Sequence, residues 1–173
     1  LGFIIVFTIA FLTRQISVLL IKKLYYPHVV YERRDKVKLS TFLKNLSKTN
    51  FGIFCIFVAL INMGQAISGP YFTVYMLNIL NFNYVTYSSV VLANSLTAVF
   101  VFPIAGKLAD KYGNITILKS GALILPILPI LWVFLTTPIA LSLGPQFLSG
   151  IGWTLFNLSA SNFIIEAIPA KQR

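Results

Sequence analysis

The feature that most restricts the fold of this chain is the length of its uncharged segments. From Thr49 to Gly106 the sequence contains no Asp, Glu, Lys or Arg, and after Lys119 the charges stop again until Glu166. A membrane-spanning helix needs about 20 mainly apolar residues, so each of these segments is long enough for two. Together with the apolar run that precedes Lys22, they predict about five membrane spans.

The composition points to lipid as the surrounding solvent. Hydrophobic residues make up 57% of the chain and charged residues 10%, whereas a soluble domain usually has about 25% charged residues. We find no sustained alternation of polar and apolar residues, which argues against the strands of a membrane barrel. The predicted fold is therefore all-α, a polytopic transmembrane helix bundle with the lipid bilayer as a partner.

The predicted boundaries follow the polar interruptions between the apolar runs. The first span covers 1–21, and a basic loop covers 22–50. Within 51–173, four further spans are predicted at about 51–77, 84–105, 115–135 and 138–165. Pro70 predicts a kink near 66–70, because proline removes a backbone donor and clashes with the preceding turn.

The basic residues predict the orientation in the membrane. Eight of the 14 Lys and Arg residues lie between Lys22 and Lys48, whereas the breaks near 78–83 and 136–138 have none. Because cytoplasmic loops carry an excess of Lys and Arg, we expect the N-terminus outside, with the basic loop and the C-terminus in the cytoplasm. This location in a multi-pass cell-membrane protein explains the net charge of +10 without a nucleic-acid partner.

A short charged stretch, "GKLADKYGN" at 106–114, is predicted to form a turn between two spans on the cytoplasmic side. Gly106 and Gly113 would permit close helix approach and unusual backbone dihedrals. Asp110 would accept hydrogen bonds from a neighbouring helix N-terminus, where the helix dipole also favours negative charge, and would hold the cytoplasmic side closed. The alternative is a solvated loop whose lysines only set the topology.

This stretch resembles the cytoplasmic signature of the major facilitator superfamily, roughly G-x-L-a-D-r-x-G-r. The residues in register are Gly106, Leu108, Ala109, Asp110, Lys111 and Gly113. The stretch departs from the signature where Asn114 replaces a basic residue and Lys111 replaces the commoner Arg. A second segment, "EAIPAKQR", is similar to the family's E-x-x-P-x-x-x-R pattern, with Glu166, Pro169 and Arg173 in register.

The resemblance implies a transporter that moves a small solute by alternating access. The family has twelve helices in two related halves, and a long cytoplasmic linker precedes helix seven. The basic loop 22–50 takes that position here, so the chain looks like helices six to ten, a fragment whose partner is a missing N-terminal half. The implied cytoplasmic gating residues are Gly106, Asp110, Lys111, Gly113, Glu166 and Arg173.

Polar residues within the predicted spans suggest where a solute would bind. In the last span Gln146, Trp153 and Asn157 fall on one helical face, and burying an amide in hydrocarbon is costly unless it meets a partner or water. The cavity candidates are Asn62, Gln65, Tyr71, Asn94, Gln146, Trp153 and Asn157. Hydrogen bonding between helices is the alternative role for the same side chains.

Other functional classes find less support in the sequence. There is no nucleophile–base set, metal-binding cluster or phosphate-binding glycine loop, so we expect neither enzyme activity nor a cofactor. A permease subunit of an ATP-driven transporter and a truncated, non-transporting membrane fragment remain alternatives. Arg14 lies inside a predicted span and is expected to extend toward the cytoplasmic boundary, with an anion-binding or gating role as the alternative.

Overall fold

The computed structural model describes residues 2–21 and 46–166, which belong to two separate compact units. In the first unit, Leu1–Lys38, the described part is a single helix, α1 at Gly2–Ile21. Its 20 residues match the length that a membrane span requires, about 20 residues. Arg14 is exposed within this helix.

The second unit, Leu39–Arg173, begins its described part with a 3-10 turn at Leu46–Lys48. Helix α2 follows at Asn50–Val74 and continues into a π-helical turn at Tyr75–Ile79. Thr49 caps the start of α2, since its Oγ1 accepts a 3.1 Å hydrogen bond from the Gly52 amide.

Helix α2 continues through Pro70 without a break. The irregular geometry comes later than the predicted kink, at the π turn, where the Leu80 amide donates to the Tyr75 carbonyl at 2.9 Å. A π turn widens the backbone ring and often marks a functional position in a helix.

Helix α3 spans Tyr84–Tyr112, and Asn83 caps its N-terminus by accepting a 2.8 Å hydrogen bond from the Thr86 amide. The helix continues beyond the predicted end of the membrane span near 105, and most of "GKLADKYGN" is helical rather than a turn. Its Lys, Leu and Ala residues are good helix formers, so the helix continues until Gly113 takes a φ of 85°. That one residue separates α3 from the next helix.

The last two spans are both interrupted at prolines. Helices α4, Asn114–Ile124, and α5, Ile127–Phe134, are separated by a turn that contains Pro126. The last span consists of α6 at Pro138–Leu141, a π turn at Ser142–Gln146 that contains Pro145, and α7 at Phe147–Glu166. Proline has no backbone N–H to donate, which explains an irregular turn at each place.

Four helical segments of the second unit are long and apolar enough to cross a membrane. They are Asn50–Ile79, Tyr84–Tyr112, Asn114–Phe134 and Pro138–Glu166. Throughout the described ranges, the regular secondary structure is helical. The prediction of an all-α, multi-pass transmembrane bundle is therefore confirmed. The orientation of its ends stays a prediction.

Helix α7 packs against both α3 and α4, and small residues bring the backbones close together. A Cβ placed on Gly150 would lie 2.6 Å from the Thr97 Cβ of α3. A Cβ placed on Gly121 of α4 would lie 2.8 Å from the Phe156 amide nitrogen of α7. Large apolar side chains point outward, as Leu123 does with 74% exposure, which suits a lipid environment.

Candidate solute cavity and cytoplasmic contact

An open cavity of about 600 Å³ lies among the four spans of the second unit. Each span contributes polar or aromatic side chains to its wall. The polar and aromatic residues of the wall include Gln65, Ser68, Thr73, Tyr87, Asn94, Trp132, Gln146, Ser149 and Trp153. Four of the seven cavity candidates from the sequence are in this set, namely Gln65, Asn94, Gln146 and Trp153.

Two hydrogen bonds link different spans at the cavity wall. Thr73 Oγ1 and Tyr87 Oη lie 3.3 Å apart and join α2 to α3, with either hydroxyl able to donate. Asn94 Nδ2 donates to the Gln146 carbonyl oxygen at 3.4 Å and joins α3 to the π turn of the last span. Asn94 therefore also fulfils the alternative role considered for it, hydrogen bonding between helices.

The side-chain amides of Gln65 and Gln146 differ from that of Asn94. Neither makes a hydrogen bond with another side chain or backbone group in the described part of the chain. A primary amide offers two N–H donors and one carbonyl acceptor. Gln65 is exposed and Gln146 is half-buried, and an amide without a partner is costly in hydrocarbon, so both amides favour water or a polar ligand.

The aromatic residues of the wall fall into two groups. Trp132 is 7% exposed and stacks on Phe72, with ring centroids 4.8 Å apart and an interplanar angle of 27°. Trp153 is half-buried and meets Phe156 edge to face at 86°. Trp132 is therefore fixed within the wall, whereas Trp153 keeps part of its surface accessible.

Three cavity candidates from the sequence do not line this cavity. Asn62 is exposed and donates to the Val58 carbonyl of its own helix at 2.8 Å. Tyr71 is 70% exposed and is not among the residues of the wall. Asn157 is exposed and lies one helical turn beyond Trp153.

Some residues of the wall were not predicted as candidates, although their helical spacing from the predicted amides indicates the same face. Ser149 follows Gln146 by three positions, and Ser68 follows Gln65 by three, so each shares a helical face with an amide that lines the cavity. The sequence does not predict that Trp132 lines the cavity, because its segment is uniformly apolar. The direction of its side chain depends on the break in the helix at Pro126.

At the end of the bundle where α4 begins and α7 ends, residues of the two signature segments meet. Asn114 Nδ2 donates a 2.6 Å hydrogen bond to Glu166 Oε1, and Asn162 Nδ2 donates to Asn114 Oδ1 at 3.1 Å. The first residue of α4 is thereby tied to the last turn of α7. Asn114 makes both hydrogen bonds of this contact, and it is the residue that replaces the basic residue of the family signature.

The remaining residues of the charged stretch lie on the surface of this unit. Asp110 and Lys111 are exposed, and Lys111 Nζ lies 5.0 Å from the centroid of the Tyr112 ring. A Cβ on Gly106 would meet no heavy atom within 4 Å, so the predicted close approach is not made by the described residues there. Arg173, a predicted gating residue, lies outside the described residues.

The described residues contain no group of three His, Cys, Asp or Glu side chains that is arranged for a metal ion. Comparison with known proteins gives one positive result, a family model described as Major Facilitator Superfamily, which matches residues 1–173. Neither the search of curated proteins nor the search of solved structures found a match.

Proposed function

Since the chain belongs to the major facilitator superfamily, we propose that it forms part of a secondary active or facilitative transporter that moves a small solute by alternating access. Membership of this family and four apolar membrane-length helices make it a multi-pass membrane transport protein. The observation that supports the transport of a small solute by alternating access is the open cavity of about 600 Å³, which has polar and aromatic walls and lies among those helices.

The cavity extends from the middle of the helices toward the ends near Met76, Tyr87 and Trp132. Gln65 is in the middle of Asn50–Ile79, and Asn94 is well inside Tyr84–Tyr112. A solute that binds there would be held near the bilayer midplane, which is where secondary transporters hold their substrates. The two π turns border the same region through Met76 and Gln146, and they are places where the helices bend at low cost.

In this proposal the cytoplasmic side closes through the signature segments. Asp110 would contact a helix N-terminus in the partner half, which the family pattern implies, while the bond between Asn114 and Glu166 keeps α4 and α7 together as one rigid unit. Opening would break the contact at Asp110 and leave the bond at Asn114 intact. The two halves would then rock about the solute.

Thiol labelling of the full-length protein tests this function. Its native cysteines, Cys55 among them, are first replaced, and one cysteine is introduced at Gln146 on the cavity wall. A membrane-impermeant thiol reagent should label Gln146→Cys from either face, in right-side-out and in inside-out vesicles. The matched control is Leu143→Cys on the same π turn, because Leu143 is 71% exposed and does not line the cavity.

Leu143→Cys should stay unlabelled, because lipid excludes a hydrophilic reagent. Labelling of Gln146→Cys from one face only, under all conditions, would contradict alternating access. No labelling from either face would contradict a water-filled cavity altogether and favour a packing role for the polar wall.

A further inference from the structure

We propose that the cavity wall formed by this chain selects an uncharged solute with a flat apolar face and at least two hydrogen-bonding groups. The inference rests on the proposed transport function and names the class of its substrate. Three properties of the wall support it, namely the absence of charge among its described residues, two amides without partners, and a partly accessible indole.

The charge of the wall is the first property. None of the described residues that line the cavity is Asp, Glu, Lys or Arg. In the described part of the second unit, Lys48 and Glu166 lie at the ends of spans, and the remaining charges lie in the charged stretch at the end of α3 or at Lys119 of α4, all outside the cavity wall. An ionised solute that enters such a cavity loses its water and gains no opposite charge from this wall.

The amides are the second property. Gln65 projects from α2 and Gln146 from the π turn of the last span, so the wall presents donors and acceptors from two directions. Asn94 Nδ2 donates to the Gln146 carbonyl oxygen, and the side-chain oxygen of Asn94 remains as an acceptor for a ligand. Carboxamide, lactam and hydroxyl groups pair with such a mixed set without carrying charge.

The aromatic surface is the third property. Trp153 is half-buried, with Phe156 against it edge to face at a centroid distance of 5.7 Å, which leaves ring surface for a ligand. Aromatic pairs favour offset-stacked or edge-to-face arrangements, and such a pair is stabilising beyond the apolar area that it buries. A planar ring that carries a neutral polar substituent matches this wall in both its apolar and its polar parts.

Three small probes of nearly equal shape distinguish the effect of a solute's charge on binding from the effect of its size. They are benzamide, which is neutral, benzoate, which is an anion, and benzamidinium, which is a cation. In the cysteine-free full-length protein, Ser149→Cys serves as the reporter, because Ser149 lines the cavity. Each probe is tested for its ability to protect this cysteine from an impermeant thiol reagent.

We expect half-protection by benzamide at a concentration at least tenfold below that of either ion. Gln146→Leu, placed in the reporter background, should raise the benzamide concentration about tenfold, because it keeps the size and removes the amide. The matched control is Asn78→Leu, since Asn78 carries an exposed amide outside the cavity wall and should leave protection unchanged.

Two results would overturn the proposed substrate class. One is protection by benzoate or benzamidinium at a concentration equal to or below that of benzamide. The other is a reporter that is labelled from both faces and protected by none of the three probes.

The second result would leave the transport proposal standing, because labelling from both faces shows alternating access without this class of solute. A reporter that is never labelled from either face would contradict the transport proposal as well. The two proposals therefore fail in different ways.

Discussion

Asn114 and Glu166 are joined by a 2.6 Å hydrogen bond between the amide Nδ2 and the carboxylate Oε1, although 52 positions separate them in the chain. The bond ties the start of α4 to the end of α7. Glu166 also lies beside the N-terminus of α4, where the helix dipole favours a negative charge. One carboxylate thus stabilises both the contact between the helices and the end of a helix.

The first prediction concerns this contact. Asn114→Ala in the full-length protein should lower the free energy of unfolding by about 1 kcal/mol, because it removes a charge-assisted bond at an exposed position. Asn114→Arg, the type of residue usual at this position of the family signature, should retain most of the stability through an ion pair with Glu166. Thermal unfolding in detergent measures both. Equal destabilisation by Ala and Arg would contradict a role for the bond.

The second prediction concerns the close approach of α3 and α7. Gly150→Ala should destabilise the protein by about 1–3 kcal/mol, because a Cβ there would lie 2.6 Å from Thr97 Cβ and 2.7 Å from the Asn94 carbonyl oxygen. Gly64→Ala is the control, since nothing lies within 4 Å of its Cβ position. It should leave the unfolding temperature unchanged or raise it slightly. A similar loss in both variants would refute the packing explanation.

The third prediction concerns the single residue between α3 and α4. Gly113 has φ 85° and ψ 145°, a region that residues with a side chain rarely adopt. Gly113→Ala should therefore cost about 1–3 kcal/mol of unfolding free energy. Gly106→Ala, inside α3, should be neutral or stabilising, since its Cβ would meet no atom within 4 Å. Chemical or thermal unfolding distinguishes the two, and equal stability would show that the connection tolerates another conformation.

The fourth prediction concerns a buried hydroxyl. Ser159 is fully buried on α7, and within the described part of the chain its Oγ has no hydrogen-bond partner. Because an unsatisfied buried polar atom is costly, Ser159→Ala should keep or raise stability, by up to about 1 kcal/mol. Ser161→Ala is the exposed comparison and should change little. A clear loss of stability in Ser159→Ala alone would show that its hydroxyl does find a partner in the membrane-embedded protein.

The fifth prediction concerns closure of the cytoplasmic side. Asp110→Asn removes the charge that is proposed to contact a helix N-terminus, and it should increase labelling of Ser149→Cys from the cytoplasmic face several-fold. Lys119→Gln is the control, because Lys119 is an exposed charge outside the signature. Unchanged labelling together with unchanged transport in Asp110→Asn would favour the simpler interpretation, a solvated helix end that makes no gating contact.

Much of the cavity was predictable because helical periodicity assigns residues to faces. Gln146 and Trp153 were placed together by their spacing, and the structure brings both to the same wall as Gln65 and Asn94. Periodicity failed for Tyr71, because no local rule says which face of α2 turns toward the other spans. Periodicity also did not predict the π turns. Each of these turns rotates the residues that follow it, relative to their positions in a regular helix.

The sequence by itself determined the solvent, the helical class and the number of long apolar segments in the second unit. Hydrocarbon forces the backbone to satisfy its hydrogen bonds within each segment, so length and charge suffice for these conclusions. The tertiary structure decided which side chains meet, as Asn114 and Glu166 do across 52 positions. Such contacts depend on how Gly121 and Gly150 let the helices approach, and close packing is a property of neighbouring surfaces rather than of either sequence segment.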